Sequence, residues 1–331
     1  MNMYSFADFY RGKRILITGG LGFIGSNLSI RLCQFGSKVH ILNKKPTNPS
    51  QAAFNIEPVK NQVIVTYSDT NDFQTLDECV QEKDIIFHLA GRGSHVDSIL
   101  DPIGDASANA LSALYLLKSI IKKEKKPKII YSGTRGQYGN AKTLPVNEDH
   151  PKQPVDINGI NKQAAEDYLL LYSRIGAIRA CSLRMGNIYG PRMQMQNPNQ
   201  GFISWFIRLA IDNKCLNVFG SGSQRRDFTY IDDLIDALLL CGMSDSTDSE
   251  AYNVGGDVYS VLEVAKLIVE VAGSGSVSIT PYAEGHKKVE VGDFVPDVSK
   301  INKLGWKPKT PFKEGLKMTI DYYRKYKEFY W

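Results

Sequence analysis

Thr18-Gly19-Gly20-Leu21-Gly22-Phe23-Ile24-Gly25 is the stretch that decides the fold. It follows a compact apolar run, Arg14 to Thr18, and opens a segment with helical spacing, Phe23 to Phe35. Glycines at 19, 22 and 25 suit a tight turn, close backbone approach to a pyrophosphate, and close packing of helix on strand. A helix start also presents free N–H groups and the positive end of its dipole to phosphates. Gly19, Gly22, Phe23, Ile24 and Gly25 are therefore expected to hold a dinucleotide. A glycine-rich turn with no ligand is the plain alternative, and the strand–turn–helix context weighs against it.

Outward from this turn, short β-branched runs alternate with longer helical patterns. Val39 to Leu42, Val63 to Tyr67, Ile85 to Leu89 and Ile129 to Ser132 read as strands. Ala106 to Ile121 reads as a helix, as does Asn158 to Arg174, which carries Ala165, Leu169 and Tyr172 on one stripe. This alternation predicts an α/β fold, a Rossmann-type doubly wound parallel sheet with helices on both faces. Beyond about residue 176 the regularity loosens. The expected organisation is a dinucleotide-binding domain over 1–178 and a smaller C-terminal α/β lobe over 179–331 that closes a ligand cleft. The boundary is interleaved, with 180–185 joining the first sheet.

The second strand ends Leu42-Asn43-Lys44-Lys45. An acidic residue at this place accepts from a ribose 2′-OH, whereas a basic one accommodates a 2′-phosphate. Asn43 and Lys44 leave both NAD and NADP open, and a solvated loop is the plain alternative for the lysines.

Composition narrows the class. A chain of 331 residues is long for a single core. A net charge of +5 suits an anionic ligand without requiring nucleic acid. The basic run Lys122 to Lys128 reads as a helix end followed by a strand. Cys33, Cys79, Cys181, Cys215 and Cys241 are odd in number and never in C-x-x-C spacing, which argues against disulfides and a zinc site. No apolar stretch is long enough to span a bilayer, and Met1 to Tyr10 has no signal-peptide core. A cytoplasmic protein with no bound metal and no membrane partner is expected.

With these residues in hand, the chain resembles the extended short-chain dehydrogenase/reductases, and within them the NAD-dependent epimerase/dehydratase family of nucleotide-sugar enzymes. Residues 18–25 look like its TGGxGFIG. Ser68-Asp69-Thr70 resembles the adenine-contacting segment after the third strand. Asp84-Ile85-Ile86-Phe87-His88-Leu89-Ala90-Gly91 resembles the strand beside the cofactor, and Asn109 matches the asparagine on the next helix. Residues 182–191, Arg226-Asp227-Phe228 and Leu304-Gly305-Trp306-Lys307-Pro308 are similar to later family motifs. The resemblance covers nearly the whole chain. It implies cofactor contacts from Asp69, Thr70, Leu89, Ala90, Gly91, Asn109 and Lys162. It also implies diphosphate contacts from Asn187 and Arg226, and a nucleotide wall at Val218-Phe219-Gly220. Homodimers built from a four-helix bundle are implied too, with helices 106–121 and the one from Asn158 as candidates. The planar donor fork of Arg226 fits a diphosphate, with a salt bridge to Asp227 or Asp232 as the plainer role.

The chemistry departs at one position. The family's Tyr-x-x-x-Lys places a phenol and an ammonium on one helix face, where the cation lowers the phenol's pKa for proton transfer. Lys162 matches the lysine, but Asn158 stands at the tyrosine, and a carboxamide cannot be a general base. It can hold a water or orient substrate. Thr134 matches the hydroxyl residue that bonds the reacting group. The sugar 4,6-dehydratases continue Thr-Asp-Glu, whereas this chain has Thr134-Arg135-Gly136. That speaks against dehydration, and leaves Arg135 to meet an anionic substrate group or pair with Glu148 or Asp149. Tyr138, His95, Asp97 and Asp156 are the titratable replacements for the phenol, and His95 is the one taken as a candidate catalytic residue.

Three functions compete. One is a nucleotide-diphosphosugar epimerase acting at C4 through a transient keto sugar. The second is a net oxidoreductase or decarboxylase on a nucleotide sugar. The third is a binding protein that has lost its phenol.

Overall fold

The computed structural model describes residues 3–198, 201–281 and 292–331. Its strands are β1 (Arg14–Thr18), β2 (Lys38–Asn43), β3 (Val63–Tyr67), β4 (Ile85–His88), β5 (Lys128–Thr134), β6 (Arg179–Met185), β7 (Asn187–Tyr189), β8 (Cys215–Phe219), β9 (Arg225–Tyr230), β10 (Ala251–Val254), β11 (Asp257–Ser260) and β12 (Ser276–Thr280). Seven of them form one parallel sheet in the order β3-β2-β1-β4-β5-β6-β10. The run β3-β2-β1-β4-β5-β6 is the doubly wound dinucleotide-binding order, which reverses between β1 and β4 and opens a crevice at their carboxyl ends. The α/β expectation is met.

Sequence dictates why β1 reads as continuous apolar rather than alternating. Ile15 and Ile17 pack into the core on one face of the sheet and Leu16 into the core on the other. A strand covered on both sides has no polar face to show.

The chain leaves the large sheet after β6 and returns to it at β10. The smaller lobe holds an antiparallel-and-parallel trio, β11-β9-β7, and a parallel pair, β12-β8. Residues 179–185 and 251–254 thus lie in the first sheet, and a cut at 178 does not separate two units.

Two helices beside the sheet carry Asn109, Asn158 and Lys162. The helix expected from Ala106 starts earlier, at Pro102. The side chain of Asp101 caps it by accepting from Gly104 N (3.0 Å) and proline fits its first turn. Residues 102–120 run without a break but contain one π turn, Ser107–Leu111. The second helix, Ile157–Arg174, is capped by Asp156, whose Oδ1 accepts from Gly159 N at 2.7 Å. Arg184 on β6 locks this helix down through a buried ion pair with Glu166 (2.7 Å), and Ser182 donates to the same carboxylate at 2.7 Å. Such a pair holds only because its remaining lone pairs are bonded.

All five cysteines are free. Among the described residues no helix is long and apolar enough to cross a membrane. Nor does any group of three His, Cys, Asp or Glu there suit a metal ion.

Candidate active site

The glycine turn is shaped by backbone contacts that leave no room for side chains. A Cβ on Gly25 would sit 2.4 Å from Gly19 O and 2.6 Å from Gly20 Cα. Gly19 has a φ of +74°, and a Cβ there would come within 2.9 Å of Ala90 Cα on the neighbouring strand end. Gly22 caps the helix Phe23–Gln34 without any side-chain bond, so the helix start keeps donors for a ligand. This cradle fits a dinucleotide's pyrophosphate. Leu89, Ala90 and Gly91 continue its wall from β4.

The cavity above it measures about 1260 Å³ and runs from the glycine turn to the smaller lobe. A single small-molecule pocket is usually about 300–1,000 Å³, so this one has room for a dinucleotide and a second ligand. Thr134, at the end of β5, and Lys162 lie on its wall midway. The Thr134 hydroxyl accepts from Gly136 N at 3.2 Å, and its own proton remains available for a ligand. Lys162 donates to Ser132 O at 3.0 Å. Burial lowers the Lys162 pKa to about 8, with the Asp105 charge opposing the fall.

The far wall is cationic. Asn187 and Arg226 border the cavity, as does Arg135. Asn187 donates to Asp227 O (3.0 Å), and Arg226 donates to Gly292 O (2.7 Å). Arg135 lies over the Phe294 ring, 5.6 Å from its centroid. Burial, with the nearby charge of Arg226, brings its pKa down to about 10, which leaves it protonated at neutral pH. Glu148, one of its expected partners, instead accepts from Asn253 N at 2.7 Å. Asp227 behind this wall is fully buried, and burial raises its pKa to about 7.

Several expected contacts fall elsewhere. Val218 is buried in the core, because β8 alternates and it is Asn217 and Phe219 that face the cavity. Asn43 and Lys44 sit at the end of β2: Asn43 borders the cavity and accepts from Leu21 N at 3.2 Å, while Lys44 pairs with Asp69 at 2.6 Å. Asp69, Thr70 and Asn109 are not on the cavity wall. Asn109 is buried, donating to Asp105 Oδ1 (3.0 Å) and accepting from Arg92 N (3.2 Å).

Asn158 does not reach the cavity either. It is 3% exposed, and its amide donates to Arg92 O (2.8 Å) and to Asp105 Oδ2 (3.0 Å). Asn161 donates to Asp105 Oδ1 at 2.8 Å. Three amides, from Asn109, Asn158 and Asn161, thus enclose one fully buried carboxylate. Asp105 and Asn161 escaped sequence reasoning. The available signal was their spacing, since Asp105 and Asn109 lie one helical turn apart, as do Asn158 and Asn161.

Of the titratable replacements for the phenol, Tyr138 is fully buried. Its hydroxyl donates to Asn253 Oδ1 (2.7 Å) and accepts from Arg184 (2.7 Å), and burial raises its pKa to about 12. His95 is on the cavity wall, and its Nδ1 meets Asp156 Oδ2 at 2.5 Å.

A dinucleotide crevice at the β1–β4 switch point, roofed by a smaller lobe with a cationic wall, defines an extended short-chain dehydrogenase/reductase. The chain belongs to the NAD dependent epimerase/dehydratase family, whose model matches residues 15–255. A Methanocaldococcus jannaschii protein carrying a provisional assignment as a UDP-glucose 4-epimerase is 33% identical over 93% of this chain and 97% of its own. The dTDP-D-glucose 4,6-dehydratase of Mus musculus is 30% identical over 95% of this chain and 89% of its own. The Thermotoga maritima UDP-glucose 4-epimerase, solved with UDP-glucose, is 31% identical with a TM-score of 0.85, over 95% of this chain and 99% of that one.

Proposed function

We propose that the chain is a nucleotide-diphosphosugar epimerase acting at C4 with bound NAD. The observation that carries this is the single cavity joining the glycine cradle to the cationic far wall, with Thr134 and Lys162 between them. The bound nicotinamide supplies a hydride acceptor that becomes a hydride donor. The cradle of Gly19, Gly22 and Gly25 holds the pyrophosphate, and Lys162 holds the nicotinamide ribose. Pairing of Lys44 with Asp69 supports NAD over NADP, since that cation already has a carboxylate. Arg226 and Asn187 bind the sugar nucleotide's diphosphate, and Phe219 flanks its base. Thr134 bonds the reacting hydroxyl. Arg135, in place of a dehydratase's acidic residues, supports isomerisation over elimination.

The protein acts as a homodimer in this reading. Leu100 and Ile103 are 78% and 82% exposed, and Leu111, Leu114, Ile160 and Leu171 are also exposed on helices that pack together. An apolar patch of this kind marks an interface.

One observation favours a second reading, a sugar-nucleotide binding protein: the residue at the phenol position is buried and turned from the cavity. Incubation with UDP-, GDP-, dTDP- and CDP-sugars in deuterated water, followed by NMR of the sugar and by the near-ultraviolet band of reduced nicotinamide, separates the readings. A new isomer without lasting absorbance is expected. Persistent absorbance would mean net oxidation, and binding without either signal would mean a binding protein.

A further inference from the structure

With the amide at 158 turned inward, another group must move the proton. We propose that His95 is the acid/base residue of this site and that Asp156 positions it, an inference that rests on the nucleotide-sugar reading above.

The two side chains come from segments 61 residues apart and meet at 2.5 Å, His95 Nδ1 to Asp156 Oδ2. Their exposures differ as a working pair requires: the Asp156 side chain is 3% exposed and that of His95 is 45% exposed, on the cavity wall. Both Asp156 oxygens are engaged, Oδ1 by the Gly159 N–H and Oδ2 by His95. Burial pushes the Asp156 carboxyl up. The hydrogen bond and charge of His95, the Gly159 N–H and the Arg135 charge outweigh that, and its pKa lies below the usual carboxylate value. An ionised carboxylate accepts, so Nδ1 carries the proton and Nε2 keeps its lone pair. A fixed carboxylate behind an imidazole sets the tautomer and stabilises the imidazolium once it forms.

The position is also right for substrate. A Cβ built on Gly136 would lie 3.5 Å from His95 Cε1 and 3.6 Å from Thr134 Oγ1, so the imidazole and the hydroxyl are close neighbours on the cavity wall. A sugar hydroxyl bonded to Thr134 is then within reach of the His95 ring. Asp156 stands two residues before Asn158, at the start of the same helix. The histidine thus enters the region of the absent phenol from the first turn of the helix His95–Leu100.

In the oxidative half, the sugar O–H bond breaks as its proton passes to His95 Nε2. A bound oxidised nicotinamide dinucleotide would accept the hydride from the adjacent C–H bond, leaving a C=O bond. In the return half it would give the hydride back to the other face of the ketone carbon, and the imidazolium would return its proton to the oxygen. The histidine and the dinucleotide end as they began. Asp156 is the charged group that meets the imidazole, Arg135 acts on Asp156, and Arg92 and Asp97 flank His95 along the chain, Asp97 within the helix that His95 opens.

The test uses the full chain, its Asp156→Asn variant and its His95→Gln variant. Asparagine caps helices as well as aspartate, so the first variant keeps the Ile157–Arg174 helix. Histidine C–H resonances are titrated by NMR, with His95 assigned by its loss in His95→Gln, before and after saturation with UDP-glucose. Bound sugar nucleotide is expected to move the His95 signal. Asp156→Asn, which removes the carboxylate that accepts from Nδ1, is expected to shift the His95 tautomer balance, read from the ring nitrogen resonances, and to lower kcat with KM unchanged. His95→Gln is expected to cut kcat by about 10²–10⁴-fold, the usual share of a general acid/base, with KM and dinucleotide retention unchanged. A wild-type chain that isomerises sugar while His95→Gln matches its rate and pH profile overturns the assignment. So does a His95 signal that bound UDP-glucose leaves in place. If the wild type binds but isomerises no sugar, the epimerase reading falls first. The His95 assignment then stands only if both the sugar-induced shift and the Asp156→Asn shift are seen.

Discussion

Asn158→Asp tests the buried network directly, because it changes one atom's chemistry and almost no volume. In the native chain the Asn158 amide donates to Asp105 Oδ2 at 3.0 Å, and both side chains are buried. The variant replaces that donor with a second carboxylate. At this spacing two full charges repel by about 5 kcal/mol at an effective dielectric of about 20. That corresponds to about 4 pKa units at 1.36 kcal/mol each. The pair therefore keeps one proton in the folded state, its loss pushed well above the carboxylate pKa of about 4 that holds when unfolded. The sign follows from proton counts. Between the unfolded and folded pKa values the folded chain binds more protons than the unfolded one, so its stability falls as pH rises. Below about pH 4 both states hold the proton and the variant differs from wild type only by the lost donor. Denaturant melts of both chains at pH 5, 6, 7 and 8 are expected to show a deficit growing by up to about 1.4 kcal/mol per pH unit. A small deficit that does not change with pH would refute the claim that this amide solvates Asp105.

Asn158→Tyr is expected to lower stability by several kcal/mol and add no activity, since an overpacked phenol also strips Asp105 of a partner (about 1–3 kcal/mol for each effect); a thermal melt with the isomerisation assay checks both. Gly25→Ala puts a methyl 2.4 Å from Gly19 O and is expected to abolish dinucleotide retention after gel filtration. Ile103→Asp, on the exposed apolar stripe, is expected to shift the mass found by light scattering from dimer to monomer; an unchanged dimer would place the interface elsewhere.

How much of this was readable before folding depends on range. The glycine turn was legible because its demands are local: spacing, φ and the absence of Cβ are properties of eight consecutive residues. The doubly wound sheet was legible for a similar reason, since strands buried on both faces announce themselves as unbroken apolar runs. Val218 was misplaced because a strand of period 2 has two phases, and only packing against the rest of the lobe chooses between them. Asn109 and Asp69 sit at family motif positions, yet their side chains took partners, Asp105 and Lys44, that no motif records. The contact between His95 and Asp156 spans 61 residues and has no local signature at all.

The π turn at 107–111 has a consequence for length rather than composition. It holds one more residue than a regular turn would, and each residue in a helix advances the face by about 100°. Beyond it, Ala113, Leu116, Leu117 and Ile120 lie in the core. Before it, Asp105 faces the three amides. The wide turn absorbs that residue, so Asp105 keeps its face toward Asn158 while the residues beyond keep theirs toward the core; one residue more or fewer in the regular turns on either side would swing the two faces apart by more than a quarter turn. The helix works as a gear with one extra tooth, and the count of residues between carboxylate and core is under as much constraint as their identity.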